Sequence, residues 1–262
     1  MLSQLLAVTR YEFSMQVRKK SLWLSMLLVA GFLAIDNSGT RFPQGDAPAH
    51  QVMAGWAVLF WIFLPLAAGM VLADRMVRDR RLGTTSLLES LPAGDGVFIT
   101  GKYLGGVAAT ALPPLLLMVI AGGYEAVNRG TPAMLGWAVV AWALGMVPGL
   151  LFIAGFAYAC PLVLTAPLFR VLFVGYWFWG NLLNPDFMPS LTGTLLTPVG
   201  DYPMSWLLGE TALYAGGSGW LEFLRPDVSG TTVVLSIAVL VIGGVVPLVV
   251  TSVLRSYSRR RA

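Results

Sequence analysis

The chain has 262 residues, 56% of them hydrophobic and only 11% charged. A soluble domain carries about 25% charged residues, and here the mean hydropathy is +0.74. A water-soluble enzyme is therefore largely excluded, and the lipid bilayer is the expected solvent. One cysteine, Cys160, excludes an internal disulfide and a cysteine-based zinc site; one histidine, His50, excludes a multi-histidine metal cluster and disfavours Ser-His-Asp chemistry. No metal site and no catalytic residue is expected.

Residues 1–20 read as an amphipathic helix. At helical spacing Leu2, Leu5, Leu6, Phe13 and Val17 share one face, with Ser3, Arg10, Ser14 and Arg18 opposite. Such a helix lies in the membrane interface, its basic side toward headgroups. The lead-in is too long for a signal peptide, and no small-x-small cleavage site precedes Asp36.

Six apolar runs follow. The expected spans are Ser21–Ile35, Gln51–Ala73, Tyr103–Tyr124, about Pro132–Ala159, about Leu162–Leu183, and Thr231–Leu254. The first is short and can span if Lys19 and Lys20 snorkel or if it continues to about Asn37. Pro113 and Pro114 predict a kink in the third. Pro148 and Pro247 lie inside the fourth and sixth, and Pro167 with Arg170 breaks the fifth.

Residues 74–102 form the longest loop on their side. A mixed-charge run from Asp74 to Arg81 leads to Ser86 and Glu89, which have capping-box spacing. Leu87, Leu88 and Leu91 would give this short helix an apolar face. Pro92 ends it, and Ala93-Gly94-Asp95-Gly96 is turn chemistry. That face needs a partner, either the membrane surface or another subunit. Residues 184–229 are rich in Pro, Gly and aromatics, too apolar for a solvated linker and too broken to span. They read as short interfacial or re-entrant helices, with Trp206 and Trp220 at headgroup level.

Charge sets the orientation. Fourteen of the 17 basic residues fall before span one, between spans two and three, between four and five, and after six. Arg41, Arg129 and Arg225 alone fall on the other face, together with eight of the 13 acidic residues. The positive-inside rule places both termini in the cytoplasm. The basic excess is then a topology signal, and no nucleic-acid partner is expected.

Gly96 to Lys102 fits the pattern G-x-x-x-x-G-K of a phosphate loop. Tyr103 stands where a magnesium-binding hydroxyl is needed, no strand precedes the motif, and it runs straight into a span. Gly101 and Lys102 instead mark the start of that span. The spans hold almost no ionisable residues, and Arg170 and Glu125 near span ends read as interfacial. Gly101-x-x-x-Gly105 and Gly145-x-x-x-Gly149 permit close helix contact, expected within the bundle rather than at a dimer seam.

The order of these features resembles the permease subunit of type-two ABC exporters. The stretch that carries the resemblance is the charged run Asp74–Arg81, then Gly83-Thr84, the Leu-rich segment ending Leu91-Pro92, and Gly101-Lys102; Arg10-Tyr11-Glu12-Phe13 followed by Arg18 is similar to that family's opening. The resemblance implies one all-α, polytopic transmembrane domain over residues 1–262, with an N-terminal elbow helix containing Arg10, Phe13 and Arg18. It implies a coupling helix at about Thr84–Phe98 seated on a separate nucleotide-binding subunit, with Thr84, Thr85, Leu87, Leu88, Glu89 and Leu91 making the contact. It implies extracellular re-entrant helices in 184–229. A second permease subunit, identical or homologous, would complete the pathway. ATP and magnesium would be bound by the partner ATPase and no cofactor by this chain. The expected location is the plasma (inner) membrane of a bacterium or archaeon. Spans rich in Leu, Val, Ala, Trp and Phe suit a lipid-like or amphipathic cargo. The alternative is a non-transporting structural or regulatory subunit of a larger membrane complex.

Overall fold

A computed structural model describes residues 2–35, 46–73, 75, 94–209 and 221–259. The described residues are helical with irregular connections, and no strand occurs among them. The helices are α1 (Leu2–Val17), α2 (Lys20–Ile35), α3 (Ala49–Trp61), α4 (Leu64–Leu72), α5 (Asp95–Arg129), α6 (Ala133–Ala141), α7 (Val147–Ala159), α8 (Ala166–Asn181), α9 (Asp201–Leu208) and α10 (Gly230–Arg259).

Every apolar run is helical, but they differ in reach. Gly96–Arg129, Ala133–Leu162 and Gly230–Val253 are each long and apolar enough to cross a membrane. The pair α3 and α4, bent by 48° at its break, makes a fourth if it is one span. The chain is thus a membrane-embedded, all-helical protein with three to four such helices among the described residues. α2 and α8 have 16 residues each, a length of about 24 Å against a hydrocarbon core of about 30 Å.

The prolines act differently from one another. The α3–α4 break falls before Pro65, which has no N–H for the Trp61 carbonyl. Leu66 N–H bonds to Phe63 O instead of Ile62 O, and the Trp177 indole on α8 donates to the released Ile62 carbonyl at 2.8 Å. α5, by contrast, continues through Pro113 and Pro114 as one 35-residue helix. The Trp142 indole donates to Ala111 O beside the carbonyls those prolines release. Before Pro148 the helix widens into a π turn, Trp142–Met146, with Val147 N–H reaching Trp142 O. That wider turn makes room for the proline ring. Pro167 opens α8 rather than breaking it, because the first turn has no use for its missing N–H.

The core lies where α3, α4, α5, α7 and α8 meet, around Met53, Leu64, Leu72, Met118, Leu150 and Trp177. α10 packs on α7 through paired glycines: a Cβ on Gly155 would lie 2.8 Å from Gly244 Cα. Much of the rest of α10 is bare, with Val234, Ile242, Val246 and Val249 exposed. An apolar outer surface of this kind is what lipid requires.

Gly155→Leu should therefore cost about 1–3 kcal/mol or more by overpacking, read as a lower thermal midpoint in detergent. Gly175→Ala, with open space around it, should leave the midpoint unchanged or raise it.

Candidate functional site: two polar junctions at opposite ends of the bundle

The first junction seats α1. Gly101 and Gly105 leave a notch on α5: a Cβ on Gly101 would lie 2.8 Å from Val8, and one on Gly105 2.8 Å from Glu12 Cβ. α1 settles into that notch with Leu5, Val8, Thr9, Glu12 and Gln16 turned inward. Glu12 is 1% exposed and Gln16 is fully buried. Of the apolar stripe read from the sequence only Leu5 is on the docked face: Leu2 and Leu6 are exposed and Phe13 half-buried, about a quarter-turn away, with Arg10 and Arg18 exposed beyond them. α1 therefore has three faces, one docked, one apolar and one basic.

Glu12 meets Arg75, the residue that stands just past α4. Its Oε1 accepts from Arg75 Nε at 2.6 Å and from Nη2, and Arg75 is 2% exposed. The bond ties the N-terminal helix to the point where the 74–102 loop begins. Tyr158 of α7 fills the space over Gly106 and donates to Lys102 O at 3.1 Å. Tyr103 lies edge-on to it and donates to Leu151 O at 2.9 Å. Lys102 is buried with its Nζ 5.0 Å from the Phe98 ring centre, a cation–π distance. Four further polar atoms here, Glu12 Oε2, Arg75 Nη1 and both amide atoms of Gln16, are buried without a hydrogen-bond partner.

The second junction is at the far end. The segment from Ser190 to Leu208 is folded into the bundle as a plug. The Trp61 indole donates to Pro198 O at 3.0 Å. Gly200, at φ +81°, lies so close to the π turn that a Cβ would be 2.6 Å from Gly145 O, a double requirement for glycine. Met204 lies against Gly145, and Gly149 faces Pro198. The Thr194 and Thr197 hydroxyls both donate to Leu191 O at 2.7 Å. Arg225 holds the plug from outside, Nε on Thr192 O at 3.1 Å and Nη2 on Ser190 O at 2.9 Å.

Asp201 opens α9 inside this plug and is 5% exposed. Its Oδ2 accepts from Gly193 N–H at 3.2 Å. Its Oδ1 is buried with no partner. Burial outweighs the Gly193 N–H bond and the nearby Thr197 hydroxyl and pushes its pKa up to about 7. The phenol of Tyr202 is pushed up to about 12, chiefly by burial, and so stays a donor, to Pro226 O at 3.1 Å.

The sign of this shift matters. The unfolded carboxyl ionises near 3.8, so the plug keeps its full stability below that pH. Stability is lost as pH rises toward 7, and above 7 the ionised form costs on the order of 4 kcal/mol.

Of the residues singled out in the sequence, Thr84, Thr85, Leu87, Leu88, Glu89 and Leu91 lie outside the described residues. Gly96–Tyr103 lies inside α5, so the phosphate-loop look-alike is helix. Both glycine pairs face this chain's own residues. Glu125 is paired rather than loosely interfacial: it accepts from Trp56 Nε1 at 3.0 Å and from Arg129 Nε at 2.8 Å. Its spacing from Arg129 was readable, whereas Trp56 is 69 residues away. Glu12 and Asp201 are the residues that sequence reading missed. Glu12 and Gln16 share a face at i, i+4, a legible polar stripe; nothing local marked Asp201. No cluster of three or more His, Cys, Asp or Glu residues suited to a metal occurs among the described residues. No family model and no curated protein matches the chain.

Removing one partner of the buried pair should strand the other. Arg75→Leu is expected to cost about 3–5 kcal/mol. The double change Glu12→Leu with Arg75→Leu should recover most of that, as read by denaturant unfolding in detergent.

Proposed function

We propose that this chain is the membrane subunit of an ATP-driven exporter of the type-two ABC kind. In this reading all six apolar helices cross the bilayer, with α3 and α4 as one broken span. The short α2 and α8 are matched by snorkelling of basic side chains or local thinning of the bilayer. Both termini and the 74–102 loop face the cytoplasm, and the plug faces outside.

The observation that carries the reading is the first junction. An N-terminal helix with a basic face is docked on the start of α5 and ion-paired to the residue that opens the 74–102 loop. A force applied to that loop by a cytoplasmic partner would reach α1, α4 and α5 together. This is what an elbow helix beside a coupling helix has to do. The plug supports it from the other end, since a buried, hydrogen-bonded cap closes the outer side of the bundle. Energy has to enter from a partner, because the phosphate-loop look-alike is helix and no ion relay is visible in the spans.

Within this reading the coupling contact is made by Thr84, Thr85, Leu87, Leu88, Glu89 and Leu91 with a separate nucleotide-binding subunit. A second permease subunit completes the path. The cargo is lipid-like or amphipathic, in keeping with the apolar spans.

Co-expression with nucleotide-binding ATPase subunits from the same genome is the test. The two should co-purify, and ATPase activity of the reconstituted complex should rise with cargo. Changing Leu87, Leu88 and Leu91 to Glu should abolish association while leaving membrane insertion intact. Unchanged association in that variant would overturn the coupling assignment. Stable assembly with no cargo-dependent ATPase activity would overturn transport, in favour of a structural subunit.

A further inference from the structure

The plug contains one acid that its surroundings do not fully satisfy. Asp201 has one oxygen bonded and one buried without a partner, in the segment that seals the far end of the bundle. We propose that Asp201 is a proton-operated latch, which keeps residues 191–208 seated when protonated and loosens them when ionised.

The argument rests on which donors could answer a carboxylate there. Gly193 N–H already bonds to Oδ2. The Thr194 and Thr197 hydroxyls are directed at Leu191 O. The Tyr202 phenol is directed at Pro226 O. Arg225 spans the carbonyls of Ser190 and Thr192. Each of these bonds closes the plug on itself. An ionised Asp201 competes for the same donors, and any donor that turns to it releases a carbonyl that held the segment shut. Inside a buried seat that competition is costly, because each carbonyl released loses its partner.

Among the described residues few other charges face this site. Tyr202 is its neighbour on α9, and Arg225 and Asp227 lie on the chain that Tyr202 reaches. α3 contributes only His50, whose ring lies on Trp137 at 5.4 Å. α6, the π turn and the half of α10 that faces the plug have no ionisable residue. The response therefore belongs to Asp201, with its midpoint near neutral pH. On the orientation proposed above, the latch would read the pH outside the cell; the latch itself does not rest on that orientation or on transport.

Hydrogen–deuterium exchange on the full chain in lipid nanodiscs tests this, with wild type and Asp201→Asn compared at the same pH so that intrinsic exchange cancels. At about pH 8.5, peptides within 191–208 should exchange about tenfold or more faster in wild type than in the variant, and at about pH 5.5 the two should agree. Peptides from 147–159 should not differ at either pH. Equal protection of 191–208 at both pH values, or faster exchange in Asp201→Asn, would overturn the latch. Should the variant fail to fold, wild type alone decides. Protection of 191–208 relative to 147–159 must fall between those two pH values, in step with loss of the infrared carbonyl band of a protonated acid. Constant protection or a constant band would overturn the proposal.

Discussion

An arginine at the end of an apolar bundle has to be neutralised by the protein itself, and in this chain Glu12 does it. The constraint is severe because both side chains are buried and their pairing has to repay the desolvation. It fixes the place of α1: the helix can reach Arg75 only by lying in the notch that Gly101 and Gly105 leave on α5. Once α1 is there, Gln16 is buried beside it, and the apolar stripe through Leu2 and Leu6 is left outside. What reads as a helix resting on the membrane is thus bonded into the bundle on one side and free for lipid on another.

The same need to pair buried polar groups explains the tryptophans. Prolines in α4 and α5 deprive carbonyls of their helical donors, and turns in the plug leave others without any. Indole N–H groups are aimed at or beside these points: Trp177 at Ile62, Trp142 at Ala111, and Trp61 at Pro198. An indole is suited to this because it brings one donor on a large apolar body. The glycines do the complementary work. Gly145, Gly149 and Gly200 let the plug backbone approach the broken fourth run, and Gly155 with Gly244 lets α10 approach α7.

Much of this was legible in the amino-acid sequence. The six apolar runs are all helices, because hydropathy over some fifteen residues or more is a strong local signal. The glycine pairs read as internal contacts and are so. The apolar but proline-broken composition of 184–229 read as a segment neither solvated nor spanning, and residues 190–208 of it pack against the bundle. The rest depended on contacts across the chain. Glu12 and Arg75 are 63 residues apart, and neither position alone identifies its partner. Asp201 looks like an ordinary outer acid until the fold buries it. The effect of a proline could not be read one residue at a time either, since Pro65 marks a break while Pro113 and Pro114 do not. The number of runs that cross the membrane is likewise not set by hydropathy alone, since α2 and α8 are short of the usual span.

In the proposed function α1 with its junction and the plug with Asp201 face opposite sides of one membrane. Labelling of single cysteines with a membrane-impermeant maleimide tests it, in a Cys160→Ser background and in intact cells. Cysteine at Asp46 or Asp227 should react directly. Cysteine at Ser3 or Gly94 should react only after permeabilisation. Direct labelling at Ser3 or Gly94, or a difference between Asp46 and Asp227, would contradict the account.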